Sequence, residues 1–416
     1  MLMRAATPHR RERYPPYTVA AVEVGRLRRV AAVIGIGNTE YTTKSGRTEW
    51  QLAVEAVGAA IADAGLTPDA VDGVIRYSAD EVNEAMLAET LGFDLRYHSQ
   101  VGFGGQSAAA VVGHAAAAIA GGLASVVVCY RSLNGRSGTR YGRAERRIAT
   151  GHGQQLVVAT GRMAPQGAFA GPYGLLAPGQ VMALWAQRYA HEAGISIDEL
   201  CAALGTIAVT QRQFANRNPD AIMRDKPLDL DTYFRSRFIS EPLRLFDFCL
   251  ETDGAAAIVV ARSDLATGAP HPPAWILAAQ QALREESMEV YTELGNGPDH
   301  RSRAAELFAH AGVRPRDVRV AALYDASTIM VLLSLEGYGF VEPGAAARHL
   351  RDHGMGLDAP LAVNTAGGHL SEGYVHGFNH LLEAVRQIRG QSPNQVADAD
   401  LVLMGAAGVS GVIFGR

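Results

Sequence analysis

The segment from Asn364 to Gly377, NTAGGHLSEGYVHG, sets two histidines, a glutamate and a tyrosine among four glycines. His369, Glu372 and His376 are metal-ligand types, and a glycine-rich loop could let them converge. Helix-borne zinc motifs, however, place histidines at i and i+4 with a third ligand further on. A His-x2-Glu-x3-His run among glycines lacks that spacing, so no metal is expected here. The alternative is a tight turn that presents polar side chains, because glycine supplies positive φ and lets other backbone approach closely. The cysteines Cys129, Cys201 and Cys249 stand singly in VVVCYRS, DELCAAL and FDFCLETD. Apolar surroundings and the lack of any Cys-x-x-Cys pair read as reduced core residues of a cytoplasmic protein.

A chain of 416 residues, 48% hydrophobic and 19% charged, is long enough for a large core, as two or three domains or one duplicated one. A formal net charge of -4 provides no field for a polyanion, so nucleic acid is not an expected partner. No apolar run approaches the length that spans a bilayer, and the N-terminus lacks the apolar core of a signal peptide. Residues 1–29 read as an Arg- and Pro-rich leader ahead of the first convincing strand, VAAVIGIG.

Apolar β-type runs alternate with Ala-rich helical runs, which marks an α/β protein. The strand candidates include VDGVIRY, ASVVVCY, GAAAIVVAR, AWILAAQ, VRVAALYD, PLAVNTAG and ADLVLMGAA. TEWQLAVEAVGAAIADAG and QSAAAVVGHAAAAIAGG read as helices. The chain also echoes itself. ADAGLTPDAVDGVIRYSAD, from Ala62, returns as AHAGVRPRDVRVAALYDAS, from Ala309, with Tyr77 or Tyr324 at the strand end. AAIAGGLASVVVCY is echoed by AVRQIRGQSPNQVADADLVLMGA. The spacing exceeds any solenoid period, so two duplicated halves are expected, 30–262 and 273–416. Between them the irregular stretch 131–245 reads as a loop insertion, where substrate recognition usually resides.

These features together resemble the thiolase superfamily, and within it the lipid-transfer or sterol-carrier-type thiolases and their steroid side-chain-cleaving aldolase relatives. The likeness covers essentially everything after residue 30. It rests on GGQSAAAVVGHAAAAIAGG, TDGAAAIVVAR, YDASTIMVLLSLEGYGF and NTAGGHLSEGYVHG. The resemblance implies a five-layer αβαβα sandwich of two βαβαβαββ halves. The catalytic types of a thiolase are replaced. Where that family has a nucleophilic cysteine in a Cys-x-Ser-Gly turn, this chain has GQSA, which puts Gly105 at the nucleophile's place with Ser107 close by. At the head of its Asn-Glu-Ala-Phe or His-Asp-Cys-Phe motif stands YDAS, hence Tyr324. Its Gly-His-Pro, after Asn-x-x-Gly-Gly, is GYV here, hence Tyr374 after Gly367 and Gly368. Its late cysteine falls in LMGAAGVSG, around Gly405.

Thiolysis needs a thiolate, because the departing acyl group is captured covalently. Cleavage of a β-hydroxyacyl-CoA does not. The β-carbon leaves as a free carbonyl compound, and the thioester enolate left behind needs only a proton. Such a retro-aldol step asks for a base on the hydroxyl, donors at the enolate oxygen and an acid for the α-carbon. Tyr324 and Tyr374 fit the base and acid, in either assignment. Asp325 is either an orienting hydrogen-bond partner or a strand-end cap. Asn364 is expected to satisfy backbone of the Gly367–Gly368 turn.

By the resemblance, the substrate is a 17-hydroxy steroid side-chain CoA thioester, the products are a 17-ketosteroid and propionyl-CoA, and CoA enters only with the substrate, with no separate cofactor. A small OB-fold, zinc-ribbon protein is the implied partner, on a thiolase-like homodimer within a heterotetramer. Of the six arginines in 131–147, Arg140 and Arg143 are candidates for the CoA phosphates, with a solvated charged loop as the alternative reading. The rival function is a non-catalytic acyl-CoA carrier, or a scaffold for the OB-fold partner.

Overall fold

A computed structural model describes residues 27–416 apart from 79, 103, 139, 141–170, 176, 282–293 and 407–408. Arg143, most of the leader and part of the insertion lie outside the described residues.

Twelve strands are found among the described residues: β1 (Ala31–Asn38), β2 (Gly73–Tyr77), β3 (Tyr97–Val101), β4 (Val126–Asn134), β5 (Phe238–Ser240), β6 (Leu243–Arg244), β7 (Asp253–Arg262), β8 (Ala274–Gln281), β9 (Val320–Leu323), β10 (Ala362–Val363), β11 (Leu401–Ala406) and β12 (Ser410–Gly415). Ten of them form one mixed sheet in the order β10-β9-β11-β12-β8-β1-β7-β4-β2-β3. Read outward from the central β8–β1 contact, the two wings are the same wing drawn twice. In the first, β2 runs parallel to β3 and β4, and β7 is antiparallel to β4 and β1. In the second, β9 runs parallel to β10 and β11, and β12 is antiparallel to β11 and β8. The sequence echoes therefore fall on equivalent strands, β2 with β9 and β4 with β11. Each of β2 and β9 follows a one-turn helix opened by proline, Pro68–Ala70 or Pro315–Asp317.

Apart from the edge strand β3 and the small β5–β6 pair, the strands are largely buried on both faces, which is why they read as continuous apolar runs. Along β7, Ala255, Ala257 and Val259 pack outward against Leu52, Ala56 and Ala60 of the helix Glu49–Asp63. Ala256, Ile258 and Val260 point inward, toward the helices Ala108–Ala120 and Phe378–Arg389. Those two inner helices are buried nearly all round, the first because it is mostly alanine and admits close backbone approach. Helices Pro298–Ala311 and Thr328–Gly337 cover the far face of the second wing, completing five layers. Between β4 and β7, the helices Pro178–Ala193 and Ile197–Ala215 pack over the second wing.

This layering brings two things to one place: the carboxyl ends of the parallel strands β2 and β9, and the amino ends of both inner helices. Ligand sites of open α/β sheets lie at such strand ends.

Candidate active site

Tyr324 is the first residue beyond β9, and its backbone is fixed from both sides. Its N–H donates to the Gly405 carbonyl at 2.8 Å. The Asn364 amide clamps Leu323, accepting from its N–H at 2.7 Å and donating to its carbonyl at 2.9 Å. Asn364 thus satisfies backbone on two sides: its carbonyl accepts from the Gly367 N–H at 2.9 Å, as expected at the glycine turn, and its side chain serves Leu323. It does so with φ 56, which an asparagine tolerates better than most residues. The Tyr324 side chain, 4% exposed, then runs to Gly105. A methyl group on Gly105 would overlap the phenol oxygen and stand 2.8 Å from Cε2 and 2.9 Å from Cζ. The phenol occupies the volume that a side chain at 105 would need. Gly405 contributes through its carbonyl; a methyl there would strike Tyr338 and not the phenols.

Tyr374 approaches from the glycine loop, partly exposed, and its Oη lies 2.9 Å from Tyr324 Oη. The buried Thr252 holds its backbone: Oγ1 accepts from the Tyr374 N–H at 2.8 Å and donates to the Tyr374 carbonyl at 3.0 Å. The loop is anchored by Asp325, which is 0% exposed. Its carboxylate accepts from the His369 N–H at 3.0 Å and from His380 Nε2 at 2.7 Å. His369 Nε2 accepts from the Gly377 N–H at 3.0 Å, leaving the ring proton on Nδ1, 2.9 Å from Asp325 Oδ1. Asp325 is therefore an orienting acceptor and the cap of the short helix Gly368–Ser371; no strand end is capped by it. Gly368 is required where it stands, since its φ is 58 and a methyl group would collide with Asp325 Oδ2. Gly367, with φ 105, lies against Ala215.

His369, Glu372 and His376 do not converge. Glu372 turns away, accepting from Asn379 at 2.9 Å, while His376 Nδ1 accepts from Arg131 Nε at 3.0 Å. The ligand-type side chains that do meet are Asp325, His369 and His380. Asp325 accepts from His380 Nε2 and the His369 N–H, and His369 Nε2 accepts from the Gly377 N–H, so the cluster ties down the loop. His369 presents its ring edge-on to both phenols, with centroids 4.8 Å from each.

The phenols and their neighbours are largely buried. Burial pushes both phenols above the ordinary tyrosine range, Tyr374 the further with Tyr324 beside it. Burial, aided by His380, brings His369 down to about 4, so its ring is neutral. Burial opposes ionisation of Asp325, yet the two imidazoles and their hydrogen bonds hold it below the usual carboxylate range. Glu372, buried behind the loop, is raised by that burial to about 8.

Cys249 is only partly buried, packed against the edge of the core beyond which Tyr324 and Asp325 lie, with its N–H donating to the Ala326 carbonyl at 3.1 Å. Burial, with Asp325 adding to it, pushes its thiol up and away from thiolate chemistry. Cys129 and Cys201 are buried. Ser107 is fully buried at the head of the helix Ala108–Ala120 and gives the phenols no hydrogen bond. Arg140 pairs with Glu251, and Arg136 also reaches that carboxylate.

Sequence reasoning missed Thr252, His380, Asp80 and Arg131. The first two lie inside segments already singled out, TDGAAAIVVAR and the run after the glycine loop. Arg131 continues the inward parity of Val127 and Cys129 along β4, a signal that its arginine-rich surroundings concealed.

Residues 283–413 match the family described as thiolase C-terminal domain-like. Over 399 residues the chain is 41% identical to the steroid side-chain-cleaving aldolase of Thermomonospora curvata, covering 92% of this chain and 97% of that protein. Over 393 residues it is 39% identical to the 17-hydroxy-3-oxo-4-pregnene-20-carboxyl-CoA lyase of Mycobacterium tuberculosis, covering 92% and 99%. Among solved structures, the Ltp2-ChsH2(DUF35) aldolase superposes with a TM-score of 0.84 at 40% identity, over 94% of this chain and 98% of that one.

Proposed function

Because this chain belongs to the steroid side-chain-cleaving aldolases of the thiolase-like family, we propose that it is a carbon–carbon lyase for a 17-hydroxy steroid side-chain CoA thioester. The observation that carries the mechanism is the contact of two phenols at 2.9 Å in the space that a side chain at Gly105 would otherwise fill.

In the reaction, a phenolate takes the proton of the β-hydroxyl. The C–O electron pair becomes the ketone, the bond to the α-carbon breaks, and its electrons form the thioester enolate. A phenol returns a proton to the α-carbon, which yields propionyl-CoA beside the 17-ketosteroid. No acyl-enzyme forms, so a glycine at position 105 costs the reaction nothing. The paired hydroxyls suit this sequence, because proton donor and acceptor are held within one hydrogen bond of each other before substrate arrives. The buried surroundings strengthen each of these interactions over its value in water. No cofactor is needed beyond the CoA of the substrate.

We further propose a DUF35-type partner, since the solved relative carries that component in its name, on a thiolase-like dimer. The test is co-expression with such a partner and assay of a 17-hydroxy steroid acyl-CoA for 17-ketosteroid and propionyl-CoA. Wild type should cleave it; Tyr324→Phe and Tyr374→Phe should each lose about 10²- to 10⁴-fold in kcat, the range of a positioned acid or base. Wild-type turnover in both variants would sink the site, and tight binding without cleavage would favour a carrier.

A further inference from the structure

β4 carries a residue that strand packing does not explain. Arg131, the sixth residue of VVVCYRSLN, is 0% exposed. Its Nη1 pairs with Asp80 Oδ2 at 2.9 Å and donates to the Ser132 carbonyl at 2.5 Å, and its Nε donates to His376 Nδ1 at 3.0 Å. Asp80 in turn accepts from the Ser132 N–H at 2.8 Å and the Val82 N–H at 3.0 Å. Removing an ion pair from water costs several kcal/mol per ion before the mutual attraction offsets it. An apolar residue would serve the core at less cost.

What the guanidinium touches is the loop that carries Tyr374. Arginine has no acceptor, so His376 Nδ1 must offer its lone pair, and the neutral ring keeps its proton on Nε2. The His376 backbone is strained, with φ 48, and its carbonyl is held by Tyr77 Oη at 3.0 Å. Its ring stands edge-on to Tyr374, centroids 5.0 Å apart. The charge of Arg131 thus sits one imidazole behind the phenol pair.

We propose that Arg131 is an electrostatic positioning residue for the two phenols, supplying, through the oriented ring of His376, the positive potential that the phenolate of the cleavage step requires. The inference rests on the aldolase reading above. The groups that bear on the phenols are Asp325 beyond β9, Cys249 ahead of β7, His369 and His380 on the helices Gly368–Ser371 and Phe378–Arg389, Tyr77 at the end of β2, His376, and Arg131 on β4. His369 and His376 are held neutral by burial, so they do not supply this charge. Asp325 is negative and works against a phenolate, while Arg131 acts in its favour on both tyrosines. Asp80 balances the guanidinium from the side away from His376.

The test is the pH dependence of kcat/KM for steroid acyl-CoA cleavage by the complex with its DUF35-type partner, comparing wild type, Arg131→Met, Arg131→Lys and Asp80→Asn. Removing one buried charge, at an effective dielectric near 20, should move the alkaline limb up by about one pH unit in Arg131→Met, or tenfold in rate at fixed pH. Arg131→Lys should keep the limb near its wild-type place. Asp80→Asn should move it down, because the cation loses its counter-charge. These opposite shifts are not what general structural damage produces. The proposal is overturned if Arg131→Met and Asp80→Asn change the rate at fixed pH in the same direction, or if Arg131→Lys loses as much as Arg131→Met. If Arg131→Met fails to fold, the direction of the Asp80→Asn shift decides. Failure of wild type to cleave, or full activity in both Tyr→Phe variants, would instead overturn the aldolase reading.

Discussion

Gly105→Ala is the smallest change that sets the fold against the phenol pair. The new methyl would overlap Tyr324 Oη and lie 2.8 Å from Cε2, so Cε2 must retreat by about 0.6 Å, and Oη by more, to reach ordinary contact at 3.4 Å. It has little room to do so. The ring is 4% exposed and is packed against the His369 ring, centroids 4.8 Å apart. Overpacking of this kind costs about 1–3 kcal/mol. Placement errors approaching an ångström cost roughly 10²-fold in rate, so kcat should fall about 10- to 100-fold while acyl-CoA binding persists. Thermal melts and steady-state cleavage read the two effects. Because the clash is with the ring, the same substitution in a Tyr324→Ala background should cost little further stability, giving a coupling of about 1–3 kcal/mol. A Gly105→Ala protein that melts and turns over like wild type would refute the reasoning. So would an equal loss of stability in both backgrounds. Gly105→Cys should likewise gain no thiolase activity, since its Cβ meets the same ring.

Other expectations follow from the same geometry. With both phenols raised by burial, the base ionises only above the ordinary tyrosine range, so kcat/KM should climb roughly tenfold per pH unit from neutrality toward pH ~10 without a plateau; a plateau below pH ~8 would contradict it. Asn364→Ala strands the buried Leu323 N–H and carbonyl and should cost about 1–3 kcal/mol in denaturant unfolding; no change in midpoint would count against the clamp. Thr252→Val removes the hydroxyl that grips Tyr374, and should lower kcat more than it raises KM. Cys249→Ala should retain cleavage, and loss of activity there would reinstate a thiol mechanism. Glu372 keeps its proton in the fold up to about pH 8 but releases it near 4.3 when unfolded, so this residue erodes stability as pH rises between those values. Glu372→Gln should flatten the fall of the thermal midpoint over pH 5 to 8, and an unchanged slope would contradict that.

How much of this was legible in the sequence depends on how local the signal is. The two wings of the sheet were visible because helix, proline turn and strand recur as contiguous segments, and duplication preserves that order. Tyr324, Tyr374 and Gly105 were legible because each occupies a motif position whose neighbours survive. The direction of Asn364 was not, because an asparagine beside two glycines reads as a turn residue, and only the parallel pairing of β10 with β9 brings Leu323 within its reach. Arg131 and Asp80 were obscured differently: each is separated by hundreds of residues from the loop it serves, and burial, invisible in composition, is what distinguishes Arg131 from the solvated arginines after it. The two histidines of the glycine loop were legible as residues of interest, but the hydrogen bonds by which they hold the loop, to Gly377 and Arg131, were not.

The proposed cleavage has no covalent intermediate and is carried by the two phenols. Its most direct measurement is a single-turnover reaction of the complex with 17-hydroxy steroid acyl-CoA in D₂O, run for wild type and for the two Tyr→Phe variants. Wild type should release 17-ketosteroid and propionyl-CoA bearing one deuterium on the α-carbon, with no acylated protein detectable by mass spectrometry at any time, and both variants should be severely slowed. An acyl adduct on the chain, or wild-type rates in both variants, would contradict the account.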